Sequence, residues 1–188
     1  MENEPQRQCV IPIHKPSNRE LAFFFASGIL VSIPFASFFE NLYPTQFSLA
    51  LLIIVLAPFI EELAKVFPLF YRHGETERSL VTLGLLMGLG FGIAEFFEYV
   101  FFAGAPPLAR LPGIIFHASS ATVVAYGIAK KKPLPFYMIA VALHVANNLF
   151  AFAGDLFFGV SVELAVLIAV YVLATRYYRQ ASKEKIVV

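Results

Sequence analysis

Residues 79–103 read SLVTLGLLMGLGFGIAEFFEYVFFA. Only Glu95 and Glu98 carry charge in this run, and both lie in its last third. At 1.5 Å rise per residue, a helix of this length more than crosses the roughly 30 Å hydrocarbon core of a bilayer. It reads as a transmembrane helix. Gly84, Gly88 and Gly92 recur at every fourth position, which puts a smooth ridge on one face and lets another helix backbone approach closely. With Gly90 the segment has a passing likeness to a nucleotide loop, but GLGFG does not meet G-x-G-x-x-G and no strand precedes it.

The rest of the chain agrees with that reading. Its 188 residues are 59% hydrophobic and 14% charged, with mean hydropathy +0.72, whereas a soluble domain carries about 25% charge. That excludes a soluble enzyme, and with no basic face on a soluble domain it excludes a nucleic-acid partner. Cys9 is the only cysteine, so neither an intrachain disulfide nor a cysteine zinc site can form. Six apolar segments are expected, at about 20–39, 47–71, 79–103, 111–129, 134–154 and 159–178. They are broken at Asn41–Tyr43–Pro44, His73–Gly74–Glu75, Pro106–Pro107, Lys130 to Pro135 and Gly154–Asp155 by turn chemistry. Residues 1–19 form a polar tail that is not a signal peptide, residues 20–178 the membrane domain, and residues 179–188 a C-terminal tail. The expected fold is an all-α polytopic membrane protein, a bundle of about six transmembrane helices.

Basic residues orient it. Twelve of the fourteen lysines and arginines fall in the N-terminal tail, the second and fourth connections and the C-terminal end. Arg110 alone lies on the other side, and Lys65 sits inside the second span. By the positive-inside rule both termini are cytoplasmic, as in a multi-pass protein of a prokaryotic plasma membrane.

Ionisable groups far from helix ends carry the functional signal, because each costs about 2.5–3.5 kcal/mol or more at mid-bilayer and needs a partner or a task. The second span holds Glu61, Glu62 and Lys65 in APFIEELAKVFP; the third holds Glu95 and Glu98; the fourth holds His117; the fifth holds His144, Asn147 and Asn148 in ALHVANNLFA. Glu61 and His144 fall near mid-span, while Glu95, His117 and Asn148 fall a few residues toward the outer side. Four helices thus bring acids, imidazoles and an amide to one depth. Glu61 with Lys65, and His144 with Asn148, stand at i, i+4 and share a face; Glu95 and Glu98 at i, i+3 do likewise. Asn147 points away from the His144–Asn148 face and reads as packing glue, and Glu40, Asp155 and Glu163 read as solvated helix-end residues.

These blocks (Glu61–Glu62–x–x–Lys65, Phe91–x–x–x–Glu95 with Tyr99 one turn on, His117, and His144–x–x–x–Asn148) resemble the PrsW family of intramembrane proteases, within the wider group of type II CAAX-prenyl endopeptidases and bacteriocin-processing enzymes. The resemblance covers roughly residues 55–150, and Phe96 departs from the asparagine usual after the glutamate. It implies an intramembrane endopeptidase acting on a transmembrane or membrane-associated protein or peptide. One of Glu61 and Glu62, with His117, would activate water; His144 and Asn148 would stabilise the oxyanion; Glu95 would orient the site or bind a metal. The residues leave a metal open. Glu95, His117 and His144 could hold a divalent ion such as zinc with a position left for water, and a metal-free Glu–His pair fits equally well.

Other protease chemistries fail by count: Asp155 is the only aspartate, H-E-x-x-H is absent, and no Gly-flanked serine elbow surrounds Ser119 or Ser120. The same cluster would also suit a transporter of protons or divalent cations, although no inverted repeat or matched pair of broken helices is visible. A scaffold docking through the Gly84–Gly88–Gly92 face would leave the polar cluster without a task.

Overall fold

A computed structural model describes residues 14–42, 49–72, 75–153 and 158–187. The expected breaks at Tyr43–Pro44, His73–Gly74 and Gly154–Asp155 lie outside the described residues, as does most of the N-terminal tail. The chain is an all-α, multi-pass bundle. Helices α1 (Asn18–Glu40), α3 (Glu77–Phe102), α4 (Pro107–Ala129), α5 (Pro133–Ala153) and α6 (Phe158–Gln180) match five expected spans within a few residues and are long and apolar enough to cross a membrane.

The second span corrects the expectation. It is not one helix over 47–71: α2 covers residues 49–64, a turn follows at 65–66, and a 3-10 helix runs over Phe67–Tyr71. Pro68 accounts for the break. It has no N–H for the carbonyl of Ala64, and its ring would clash there. The Ser32 hydroxyl of α1 donates to that carbonyl instead, at 3.0 Å. A similar substitution occurs earlier in α2, where Leu52–Leu56 form a π-helical turn and the Ala57 N–H reaches back to the Leu52 carbonyl. Pro58 has no N–H to offer the next carbonyl, that of Ile53, which accepts instead from the Asn148 side chain of α5 at 3.0 Å.

Local chemistry sets the remaining ends. Ser17 and Glu20 form a capping box at the start of α1, satisfying two free N–H groups reciprocally. Helix α4 starts on Pro107, where a missing N–H costs nothing, and closes in a turn with Lys131 at φ 56° before Pro133 opens α5.

Lipid offers no hydrophobic drive between helices, so close packing of small residues must hold them. The glycine ridge does this against α4. A methyl on Gly84 would sit 2.4 Å from Ala125 Cβ, and one on Gly88 would sit 2.3 Å from the carbonyl oxygen of His117. Helix α1 approaches the opposite side of α3 as closely, Gly90 facing the Phe25 carbonyl. Helix α4 is the most enclosed element, with Phe116 and Val123 packed on Val166, Val170 and Ala174 of α6.

At the end of the bundle that carries the termini, polar contacts tie the connections together. Strand β1 (Glu75–Thr76) pairs antiparallel with β2 (Ile186–Val187), so the C-terminal tail folds back onto the second connection. Glu77, fully buried, receives Lys130 Nζ at 2.6 Å and the Ser182 N–H at 3.0 Å. Arg72 bridges Glu20, at 2.9 Å, and Glu75.

Candidate functional site

Lys65 lies in the turn where α2 gives way, at the centre of a buried network. Its Nζ contacts Glu62 Oε1 at 2.5 Å, His117 Nδ1 at 2.9 Å and Ser120 Oγ at 3.3 Å. Glu62 and Lys65 have fully buried side chains. Sequence spacing suggested Glu61 as the partner of Lys65; the ion pair forms with Glu62, one position on. Glu62 faces α4 and α5, where the two imidazoles wait, whereas Glu61 lines a cavity.

The contacts assign the tautomers. An ammonium only donates, so His117 Nδ1 accepts from Lys65, and His117 Nε2–H donates to Glu95 Oε2 at 2.5 Å. Glu62 Oε1 already accepts from Lys65, so His144 Nδ1–H donates to it, at 2.9 Å. His144 Nε2 is left with a bare lone pair, 3.8 Å from Glu61 Oε2. That carboxylate oxygen is itself buried with no hydrogen-bond partner among the described residues. The two imidazole rings lie edge to face, their centroids 5.3 Å apart, and Phe91 and Phe116 pack on them.

The cavity these groups face has a volume of about 540 Å³ and contains Glu61, Glu95, His117, His144 and Asn148 in its wall. All six expected site residues are therefore in or directly behind one site, Glu62 standing behind His144. Ligand atoms of Glu61, His117 and His144 lie within 4.8 Å of one another. Glu95, expected as a ligand with His117 and His144, is bonded to His117 Nε2 and is not part of that group. The Asn148 amide is committed in part to Ile53, and its oxygen lies 3.4 Å from Asn147 Nδ2. Asn147 also lines the cavity, contrary to its reading as a residue turned away from this face. Glu98 is exposed and outside the lining.

Four residues were missed. Glu40 and Glu163, taken for solvated helix ends, both line the cavity. Arg110 joins them, its guanidinium 3.7 Å from the Tyr99 ring centroid and 3.7 Å from Glu95 Oε1. Being the one basic residue on its side of the chain was the signal that could have found it. Ser120 stands three residues after His117 on the same helix face, a spacing that also marked it. Comparison with protein-family models, with curated proteins and with solved structures found no match to this chain.

Proposed function

We propose that this chain is an intramembrane endopeptidase that hydrolyses a peptide bond of a membrane protein or membrane-associated peptide. The observation that carries the reading is the pair Glu61 Oε2 and His144 Nε2, both without hydrogen-bond partners among the described residues, 3.8 Å apart on the wall of the cavity. Two acceptors at that spacing suit one water between them, donating to each. The order of the glutamate, histidine and asparagine blocks, which resembles the PrsW pattern, supports the same reading.

Hydrolysis needs a base within hydrogen-bond reach of the water. Glu61 takes the water proton as the oxygen attacks the scissile carbonyl, and the carbonyl π electrons move onto its oxygen. His144 holds the water in line through Nε2, because Glu62 fixes its ring through Nδ1. Glu61 then returns the proton to the leaving nitrogen as the C–N bond breaks. Asn148 has a second N–H to offer the oxyanion, in a site where donors act through low dielectric. His117, held on both ring nitrogens, positions Glu95 and the Lys65 network.

A metal is compatible with the donor set. A divalent ion such as zinc would take Glu61 Oε2 and His144 Nε2 as they stand, and His117 only once its Nε2 gives up Glu95. Such an ion supplies Lewis-acid polarisation and a more acidic bound water. The same trio supports a second reading, a carrier of protons or divalent cations, which would show ion flux into liposomes.

Both termini face the cytoplasm in this proposal, and the cavity opens toward the opposite leaflet of a prokaryotic plasma membrane. The test is a comparison of peptide products by mass spectrometry from membranes containing the wild type, Glu61→Gln or His144→Ala, with and without a chelator. Products present with the wild type should vanish in both variants. Identical products in all three would refute the peptidase.

A further inference from the structure

Four carboxylates from four different helices line the cavity: Glu40 from α1, Glu61 from α2, Glu95 from α3 and Glu163 from α6. Against them stands one arginine, Arg110, already spread over the Tyr99 ring and adjacent to Glu95. The buried cation Lys65 is committed to Glu62 and is not in the lining. Among the described residues Glu40 has no cationic partner, and Glu163 has only the field of Arg110, which Glu95 shares. A second observation also points to an occupant. His144, whose side chain is only 4% exposed, turns an unbonded Nε2 toward the same space. Leu52, Phe116, Leu164 and Leu167 complete the wall with apolar surface.

We infer, building on the peptidase reading, that this cavity selects an apolar substrate segment bearing one lysine or arginine side chain, and that Glu40 and Glu163 are the residues that read its charge. Carboxylates held together between lipid-facing helices are costly until a counter-charge arrives. A recess lined mainly by one sign also concentrates ions of the opposite sign. Glu40 ends α1, and Glu163 stands near the start of α6, so both occupy the end of the bundle remote from the termini. The basic side chain therefore sits at that end of the substrate, with the apolar part running inward past Phe116 toward Glu61. An acidic residue in the same place would meet Glu40 and Glu163 with only Arg110 to offset them.

The test uses the full chain in nonionic detergent and three fluorescent apolar helical peptides, identical except for lysine, norleucine or glutamate at one position near an end. Anisotropy should show the lysine peptide binding up to about fivefold more tightly than the norleucine peptide, the scale of a partly exposed ion pair, and the glutamate peptide most weakly. In Glu40→Gln/Glu163→Gln the ratio of lysine to norleucine binding should fall to about one. Should the double variant fail to fold, as judged by circular dichroism and gel filtration, the single variants Glu40→Gln and Glu163→Gln give the same readout. Equal binding of the lysine and norleucine peptides, no binding of either, or a lysine preference that survives neutralisation of both glutamates would overturn the inference. Mass spectrometry on the same mixtures separates it from the reading beneath it. Cleavage without a charge preference refutes the selection alone, and a charge preference without cleavage refutes the peptidase alone.

Discussion

Replacing Lys65 by methionine isolates the network on which the site rests. Lys65 and Glu62 have no solvent exposure in their side chains, so screening by water does not reduce the effect. Lys65→Met leaves Glu62 as a buried carboxylate with His144 as its remaining partner, and removes the donor from His117 Nδ1 and Ser120 Oγ. Breaking a buried pair from one side costs about 3–5 kcal/mol, a large share of the roughly 5–15 kcal/mol that holds a typical protein folded. The variant Glu62→Gln/Lys65→Met removes the charge as well as its partner, and a glutamine oxygen can still accept from His144. It should recover to within about 1–2 kcal/mol of the wild type, because a buried ion pair is worth little over a neutral replacement. The chain has no tryptophan, so unfolding in mixed micelles of increasing denaturing detergent should be followed by far-ultraviolet circular dichroism. The proposed hydrolysis should fall in both variants, since His117 keeps only its bond to Glu95 in each. Equal stability of Lys65→Met and the wild type, or a double variant no more stable than Lys65→Met, would refute the account of the network.

Two further outcomes are expected. Gly88→Leu drives a side chain into the His117 carbonyl, 2.3 Å from where its Cβ would lie; it should destabilise the bundle by at least about 1–3 kcal/mol and lower hydrolysis further than stability alone explains, and a variant with wild-type activity would show that the ridge does not position His117. Cys9, the sole cysteine, should react with a membrane-impermeant maleimide in inside-out vesicles and resist it in intact cells; the reverse pattern would invert the topology.

Much of this molecule can be read from hydropathy and spacing, because lipid forces apolar runs into helices and makes ionisable residues conspicuous. Glu61, Glu62, His117 and His144 stand out for that reason. What spacing could not supply is the lateral arrangement of the helices. Depth along a helix says nothing of which neighbour it meets, so Glu40 and Glu163 looked like ordinary helix ends although helix packing puts both on the cavity. The choice of Glu62 over Glu61 as partner of Lys65 has the same origin, since both spacings are permitted on a helix and the position of the imidazoles decides between them. The break after Ala64 was legible in Pro68. It went unread because apolarity continues through Tyr71, and hydropathy does not register a missing N–H. Asn148 illustrates the converse: it was singled out for chemistry, yet one of its bonds repairs the backbone that Pro58 leaves open.

The tie around Glu77 has a mechanical consequence. It joins the start of α3, the α4–α5 turn and the returning tail through Lys130 and Ser182, while Arg72 links α1 to the second connection. At the opposite end, among the described residues, the ion pair is the longer Arg110–Glu95 contact at 3.7 Å. The bundle is thus pinned like a clothes-peg, with its spring at the termini and its jaws at the mouth. Among the described residues the ionic ties gather at the spring and thin out at the jaws, where the proposed substrate would slip in sideways from the bilayer.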